Sequence, residues 1–332
     1  MVVIMQPGAG ESEISGVVEA IQSYGMDAHI SRGKERTIIG IIGDEREVNF
    51  DSIASLVGVE KAMPILKPYK YVSRNVNDQD KIIDVGGVRI GKDMIFAAGP
   101  CSVEEEDTTL RIADEVKKAG AQFFRAGAYK PRTSPWSFQG LREKGLEILS
   151  KVRAKTGLPI ITEVIDSADI KLVGEHTDIY QVGMRNMRNY TLLAELGKTG
   201  KPVLLKRGDS AKLEEWLAAA DYIYRNGNEN IILCERGIRT FEDYTRNTLD
   251  LAAVAAARNE SCLPIFVDPS HGTGRVELVR PMSLASIAAG ASGLLLEVHF
   301  DPQKAWSDGK QTVTPAVLKK IIDDCRHIAG VG

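Results

Sequence analysis

The sequence contains no apolar run approaching the roughly 20 residues that a membrane-spanning helix needs. Its first residues, MVVIMQPGAGESE, lack the basic start and the long apolar stretch of a secretion signal. A charge excess is also missing: 42 basic against 45 acidic side chains leave −3, too little for a field that would hold nucleic acid or an anionic membrane. Cysteine is scarce. Cys101, Cys234, Cys262 and Cys325 lie far apart and form no Cys-x-x-Cys pair, which excludes a dense disulfide framework and fits a reducing, cytoplasmic setting. The balance of 43% hydrophobic and 26% charged residues is that of a folded globular protein and excludes disorder, collagen and coiled coil as the main architecture. What is present is a chain of 332 residues, longer than one core usually grows. It has room for a barrel of about 250 residues and one small further domain.

Residues 1–66 have their own rhythm. Ile14, Val17, Val18 and Ile21 form a helical stripe within 11–24, stopped by Gly25. Stretches 2–6, 27–31, 37–42 and 59–66 read as strands, and 48–56 as a second helix. The order β-α-β-β-α-β is the ferredoxin-like pattern. It holds no His/Cys cluster and no phosphate loop, so a small-ligand regulatory module and an assembly domain both fit. Residues 67–81 read as a polar connector, and 82–90 alternate around Gly86-Gly87 as a hairpin.

From 94 onward the pattern becomes strand then helix, eight times. Short apolar, β-rich runs at 94–99, 122–126, 159–164, 179–183, 202–207, 231–236, 264–268 and 293–298 suit fully buried parallel strands. Amphipathic stretches at 104–118, 141–155, 167–175, 191–197, 212–225, 241–259, 278–289 and 314–329 follow them. The predicted fold class is α/β: a (β/α)8 TIM barrel over 82–332, with the hairpin plugging its N-terminal mouth.

A barrel places its chemistry at the C-terminal ends of its strands, and these ends carry two sets of groups. One is cationic: Arg125, Lys130, Arg132, Arg185, Lys206, Arg207 and Arg236. So many mutually repelling cations at one mouth call for a polyanionic ligand, and arginine forks suit carboxylate and phosphate. The other set is Cys101, His271, Glu297 and Asp308, whose thiol, imidazole and carboxylates match a divalent ion of the Mn, Fe, Co, Zn or Cu class. His299 shares a strand face with Glu297 and competes as ligand or outer donor. Cys234, Cys262 and Cys325 read as packing residues. The glycine-rich loop 270–275 sits where barrels often bind phosphate.

These strand ends resemble those of a known family. Ala98-Gly99-Pro100-Cys101-Ser102, Lys130-Pro131-Arg132-Thr133-Ser134, Cys234-Glu235-Arg236-Gly237, Asp268-Pro269-Ser270-His271 and Glu297-Val298-His299 occur in the order found in 3-deoxy-D-arabino-heptulosonate-7-phosphate (DAHP) synthases. The N-terminal pattern resembles the subgroup with a ferredoxin-like, ACT-like domain, the type I beta group. The resemblance implies condensation of phosphoenolpyruvate with erythrose 4-phosphate, the opening step of the shikimate pathway. It implies metal ligands at Cys101, His271, Glu297 and Asp308. It places phosphoenolpyruvate at Arg125, Lys130, Glu163, Arg185, Lys206 and Arg236, and erythrose 4-phosphate at Arg132 and Thr133, with Asp308 close to the sugar. Lys130, Asp308 and His271 are the expected catalytic residues. Lys130, or a metal-bound water, is the candidate proton donor. Met184 departs from the family pattern, which has a smaller residue there. Tyrosine or phenylalanine is the implied effector of the first domain, and a homotetramer the implied assembly. Two alternatives stand beside this reading. One is the sister enzyme that makes 3-deoxy-D-manno-octulosonate 8-phosphate from arabinose 5-phosphate, which carries an Asn-Arg-Ser type loop at Pro131-Arg132-Thr133. The other is a Schiff-base aldolase on Lys130 or Lys206.

Overall fold

The computed structural model describes residues 1–330 except Lys34 and Thr133. It divides into two compact units, Met1–Pro68 and Tyr69–Gly332. Among the described residues no helix is long and apolar enough to cross a membrane.

The first unit runs β1 (Val2–Met5), α1 (Glu11–Ser23), β2 (Asp27–Arg32), β3 (Thr37–Ile42), α2 (Phe50–Ala54) and β4 (Val59–Met63). The sheet order is β2-β3-β1-β4, antiparallel in each pairing, which is the ferredoxin-like arrangement read from the sequence. Val3 and Met5 of β1, Ile39 and Ile41 of β3 and the α1 stripe Ile14, Val17 and Ile21 share one buried cluster. Alternation along the strands puts every second residue on that face. The expected second helix and last strand are shorter than their sequence limits. Asn49 caps α2 through its side chain, and β4 stops before Pro64, which has no N–H to give a ladder.

The second unit opens with a segment fixed to the outside of the barrel. The Asp221 carboxylate accepts the backbone N–H groups of Lys70, Tyr71 and Val72 at 2.6, 3.3 and 2.9 Å, and the Tyr69 hydroxyl donates to Glu260 at 2.9 Å. Part of the polar stretch expected to be a connector is therefore held on the barrel's own helices. A hairpin follows, β5 (Ile83–Val85) and β6 (Val88–Ile90).

The barrel strands are β7 (Ile95–Gly99), β8 (Phe123–Arg125), β9 (Ile160–Glu163), β10 (Ile179–Val182), β11 (Val203–Lys206), β12 (Ile231–Glu235), β13 (Ile265–Val267) and β14 (Gly293–Glu297). All are parallel, and β14 pairs with β7 from Gly293↔Ile95 to Glu297↔Gly99, closing the ring. Around it lie α3 (Glu106–Ala119), α4 (Glu143–Thr156), α5 (Ile170–His176), α6 (Tyr190–Gly197), α7 (Leu213–Arg225), α8 (Leu251–Glu260), the short α9 (Pro269–Thr273), α10 (Val276–Ala288) and α11 (Pro315–Ile328). Ile95, Phe123, Ile161, Ile179, Leu204, Ile232, Phe266 and Leu295 point inward. They pack with Ile83, Val85 and Ile90 of the hairpin, which thus covers the lower end of the barrel as the sequence suggested. The alternate strand residues pack outward on the helices. Each such fully buried large side chain contributes about 1.5–3 kcal/mol.

Two expectations fail here. The helix predicted for 241–259 begins only at Leu251, where Asp250 caps it by accepting the Ala253 N–H. The preceding residues form a loop tied by the bridge Ile238↔Thr248 and by N–H bonds from Arg246 and Asn247 to the carbonyls of Thr273 and Gly272. Phe241 and Tyr244 lie exposed on it, so no apolar face holds those residues in a helix. The glycine-rich stretch after the seventh strand, expected as a loop, is instead mostly α9, whose first turn is capped by Asp268, which accepts the His271 N–H at 2.9 Å.

Candidate active site

The barrel's C-terminal mouth gathers the predicted groups into one pocket, lined by Arg125, Lys130, Arg132, Glu163, Arg185, Lys206, Arg236, His271 and Asp308. Thr133 lies outside the described residues. Strand alternation explains one exclusion from the cationic set. Lys206 ends β11 facing inward, and Arg207, the next residue, faces out. Arg207 is used there by Glu235 at 3.0 Å and Asp250 at 2.9 Å. In its place the pocket gains Arg246, from the loop expected to be helical. Met184 forms part of the wall, at the start of a single 3-10 turn.

The cations are held by buried polar partners. Arg125 donates to Gln181 at 3.0 Å and to Glu297 at 3.3 Å. Gln181 also donates to Glu163 at 3.0 Å, so one amide orients a cation and an anion of the pocket. Gly183 makes room for that anion: a Cβ there would lie 2.0 Å from the Glu163 Oε1. Lys206 pairs with Asp268 at 2.6 Å with both side chains buried. Arg236 donates to the Gly237 and His271 carbonyls at 3.3 and 3.4 Å.

The second set also converges. One donor atom from each of Cys101, His271, Glu297 and Asp308 lies within 4.8 Å of the other three. Cys101 follows β7 by two residues, Glu297 ends β14, His271 is on α9, and Asp308 follows β14 on a longer loop. The Cys101 Sγ donates to Asp308 at 2.8 Å and receives the Lys130 Nζ at 3.0 Å. The Glu297 carboxylate is fixed by Gln311 at 2.6 Å.

The protonation pattern is compatible with a cation between them. Burial lowers the His271 pKa to about 4, so at pH 7 the ring is neutral. Its Nδ1 lies 2.7 Å from the Asp268 carboxylate, which accepts its proton. The Nε2 lone pair then faces a Glu297 oxygen at 3.1 Å, a repulsive contact unless a positive charge joins them. Burial, with the Glu297 carboxylate, pushes the Cys101 thiol up to about 12, so its proton stays on until a cation displaces it. Burial opposes the charge of Asp268 too, but the His271 ring and the Lys206 ammonium hold its carboxyl well below the usual range. With His271 neutral, the cation it faces at pH 7 is Lys206. Soft thiolate, imidazole and carboxylate together suit a transition ion or zinc rather than Mg²⁺ or Ca²⁺.

His299 is not in the cluster; its ring meets Glu104 at 3.2 Å. Cys234, Cys262 and Cys325 are free and buried elsewhere, as packing residues. Sequence reasoning missed Asp268, Gln181 and Arg246. Asp268 stood inside a quoted motif, and its position three residues before His271 was its only local signal.

The sequence matches the DAHP synthetase I family over residues 72–327 and the DAHP synthase ferredoxin-like domain over residues 1–67. It is 50% identical over 330 residues to the phospho-2-dehydro-3-deoxyheptonate aldolase of Thermotoga maritima, covering 99% of this chain and 98% of that one. It is 34% identical over 263 residues to the 2-dehydro-3-deoxyphosphooctonate aldolase of Geobacter sulfurreducens, covering 72% of this chain and 96% of that one. The crystal structure of the Thermotoga maritima DAHP synthase superposes with a TM-score of 0.94 at 49% identity, covering 99% of this chain and 97% of that one. A truncated form of the Thermotoga enzyme superposes with a TM-score of 0.74 at 45% identity, over 79% of this chain and 97% of its own.

Proposed function

The chain belongs to the DAHP synthetase I family and has DAHP synthase activity, the first step of the shikimate pathway, and on that premise we propose how its residues divide the work. The reaction joins phosphoenolpyruvate, D-erythrose 4-phosphate and water into 3-deoxy-D-arabino-heptulosonate 7-phosphate and inorganic phosphate. The observation that carries the residue assignment is the single pocket in which a cationic clamp adjoins a four-donor cluster.

In this reading Arg125, Arg185, Lys206 and Arg236 hold the carboxylate and phosphate of phosphoenolpyruvate, with Lys130 and Glu163 beside them. Arg132, with Thr133 of the same motif, takes the phosphate of erythrose 4-phosphate. A divalent ion on Cys101, His271, Glu297 and Asp308 would supply Lewis acidity at the aldehyde oxygen. C3 of phosphoenolpyruvate bonds to C1 of the aldehyde, whose oxygen takes up a proton. Water adds at C2, the C2–O bond to phosphorus breaks, and inorganic phosphate leaves. Lys130 is the candidate proton donor, beside a metal-bound water: it is buried and its Nζ lies 3.0 Å from the Cys101 Sγ. A Schiff base on Lys206 is disfavoured because Asp268 holds that ammonium in a buried ion pair.

Phosphate release measured with erythrose 4-phosphate and with arabinose 5-phosphate tests the substrate assignment. Preference for the four-carbon aldehyde is expected, with activity lost to a chelator and restored by Mn²⁺ or Zn²⁺. Preference for arabinose 5-phosphate would move the chain to the sister activity.

The first unit is proposed as a feedback sensor for tyrosine or phenylalanine, supported by the match of residues 1–67 to the family's ferredoxin-like domain. Such coupling needs an effector that binds two states unequally. Removal of residues 1–68 is expected to leave an active enzyme that ignores both amino acids while the full chain is inhibited. A full chain indifferent to both would favour an assembly role. A homotetramer in the cytoplasm completes the proposal, and the four unpaired buried cysteines fit a reducing compartment.

A further inference from the structure

Asp308 reaches the cluster from an unusual position. The chain leaves β14, forms the bridge Val298↔Val313, and between these two residues makes a loop with only single 3-10 turns. Asp308 sits on that loop in the left-handed region, at φ 54° and ψ 30°. Arg142 is the other non-glycine residue with positive φ among the described residues. Such a residue stays in place only when its surroundings hold it.

The holding groups follow directly after Cys101. Glu104 is 2% exposed. Its Oε1 accepts the Trp306 N–H at 2.9 Å, and its Oε2 meets the His299 Nε2 at 3.2 Å. The His299 Nδ1 accepts the Asp301 N–H at 2.8 Å, so the ring's proton is on Nε2 and is donated to Glu104. The Ser102 and Ser307 hydroxyls bond at 2.8 Å. The segment that supplies the Cys101 ligand thus also pins residues 306 and 307 directly and 301 through His299, all on the stretch of loop that leads to Asp308.

We infer that Glu104 is a positioning residue: it holds the 306–308 segment so that Asp308 stays at ligand distance from Cys101, and so controls metal retention and aldehyde use. The phosphoenolpyruvate clamp comes from other strand ends, where Arg125, Lys206 and Arg236 bond to groups other than Glu104. This inference rests on the proposed metal centre. Glu104→Gln is the sharp test, because both partners donate and an amide has only one oxygen to accept them.

The measurements are Mn²⁺ dissociation constants by chelator competition, KM for each substrate, and urea unfolding of the full chain, for wild type, E104Q, D308N and the double variant. E104Q is expected to weaken Mn²⁺ binding by about 10–100-fold, to lower kcat/KM for erythrose 4-phosphate, and to leave KM for phosphoenolpyruvate within about twofold, since that clamp is independent. In the D308N background the same change should weaken Mn²⁺ by less than about twofold, since coupled residues do not add. Unchanged Mn²⁺ affinity in E104Q overturns the inference. So does an equal loss in both backgrounds, or a raised phosphoenolpyruvate KM with a falling urea midpoint. Wild type that binds no Mn²⁺ overturns the metal centre itself, a separate outcome. If E104Q does not fold, Ser102→Ala removes the neighbouring tie to Ser307 and gives the same comparison.

Discussion

Cys101→Ala is expected to lose tight metal binding and at least about 10²-fold in turnover, more than removal of an outer partner costs, while the fold survives. The thiol is the one soft donor of the four, and it comes from the rigid end of β7, where Gly99 pairs with Glu297 across the closed sheet. Alanine there keeps the strand and removes a single sulfur atom from the mouth. The remaining imidazole and carboxylates make a harder, three-donor site that selects poorly among transition ions. The variant also removes one bond of the Lys130 ammonium, that to the Cys101 Sγ, and leaves the one to the backbone carbonyl at 2.9 Å. Circular dichroism and the urea midpoint should stay near wild type, and metal content after dialysis should fall. Full chelator-sensitive activity in the alanine variant would sink the four-ligand assignment.

Asp268→Asn should cost about 3–5 kcal/mol of stability, the usual result of removing one partner of a buried ion pair. Asp268 is fully buried and has three tasks: it pairs with Lys206, accepts the His271 ring proton, and caps α9. Asparagine can keep the cap through its side-chain oxygen. It cannot neutralise Lys206, and it no longer forces the His271 proton onto Nδ1, so the Nε2 lone pair loses its fixed direction. A large drop in the thermal midpoint together with weakened metal binding is the expected signature. An unchanged midpoint would show that Lys206 finds another partner or sheds its proton at little cost.

The legibility of this chain in its sequence follows from where its side chains lie. Fully buried parallel strands are unbroken apolar runs, so runs such as 231–236 and 293–298 lie within a residue of β12 and β14. The hairpin was legible because Gly86-Gly87 sits between alternating residues. The loop 237–250 was not. Its polar run can be written as a helix, and only long-range bonds to Gly272 and Thr273 show that it is folded otherwise. Arg246 was lost with it. Arg207 was misplaced for a simpler reason: adjacent residues of a strand face opposite ways, and the strand's end fell at Lys206 rather than one residue later. Gln181 carries no mark in sequence and Asp268 only its place three residues before His271, because their importance lies in what they touch across the barrel.

The pairing of β14 with β7 has a consequence for how the protein is made. These are the last and first strands of the ring; β14 ends in one member of the cluster, Glu297, and Cys101 follows β7 by two residues. A chain emerging N-terminus first has Cys101 available long before Glu297 and Asp308 exist. In the proposed metal centre, an ion on all four donors would have to wait until the chain through Asp308 has been synthesised and the ring has shut. Nascent chains, or chains shortened before Asp308, would lack one or more of its four proposed donors. Cys101 and Glu297 would hold such an ion from the two sides of the seam where the ring would have to reopen, so unfolding there would be coupled to its release.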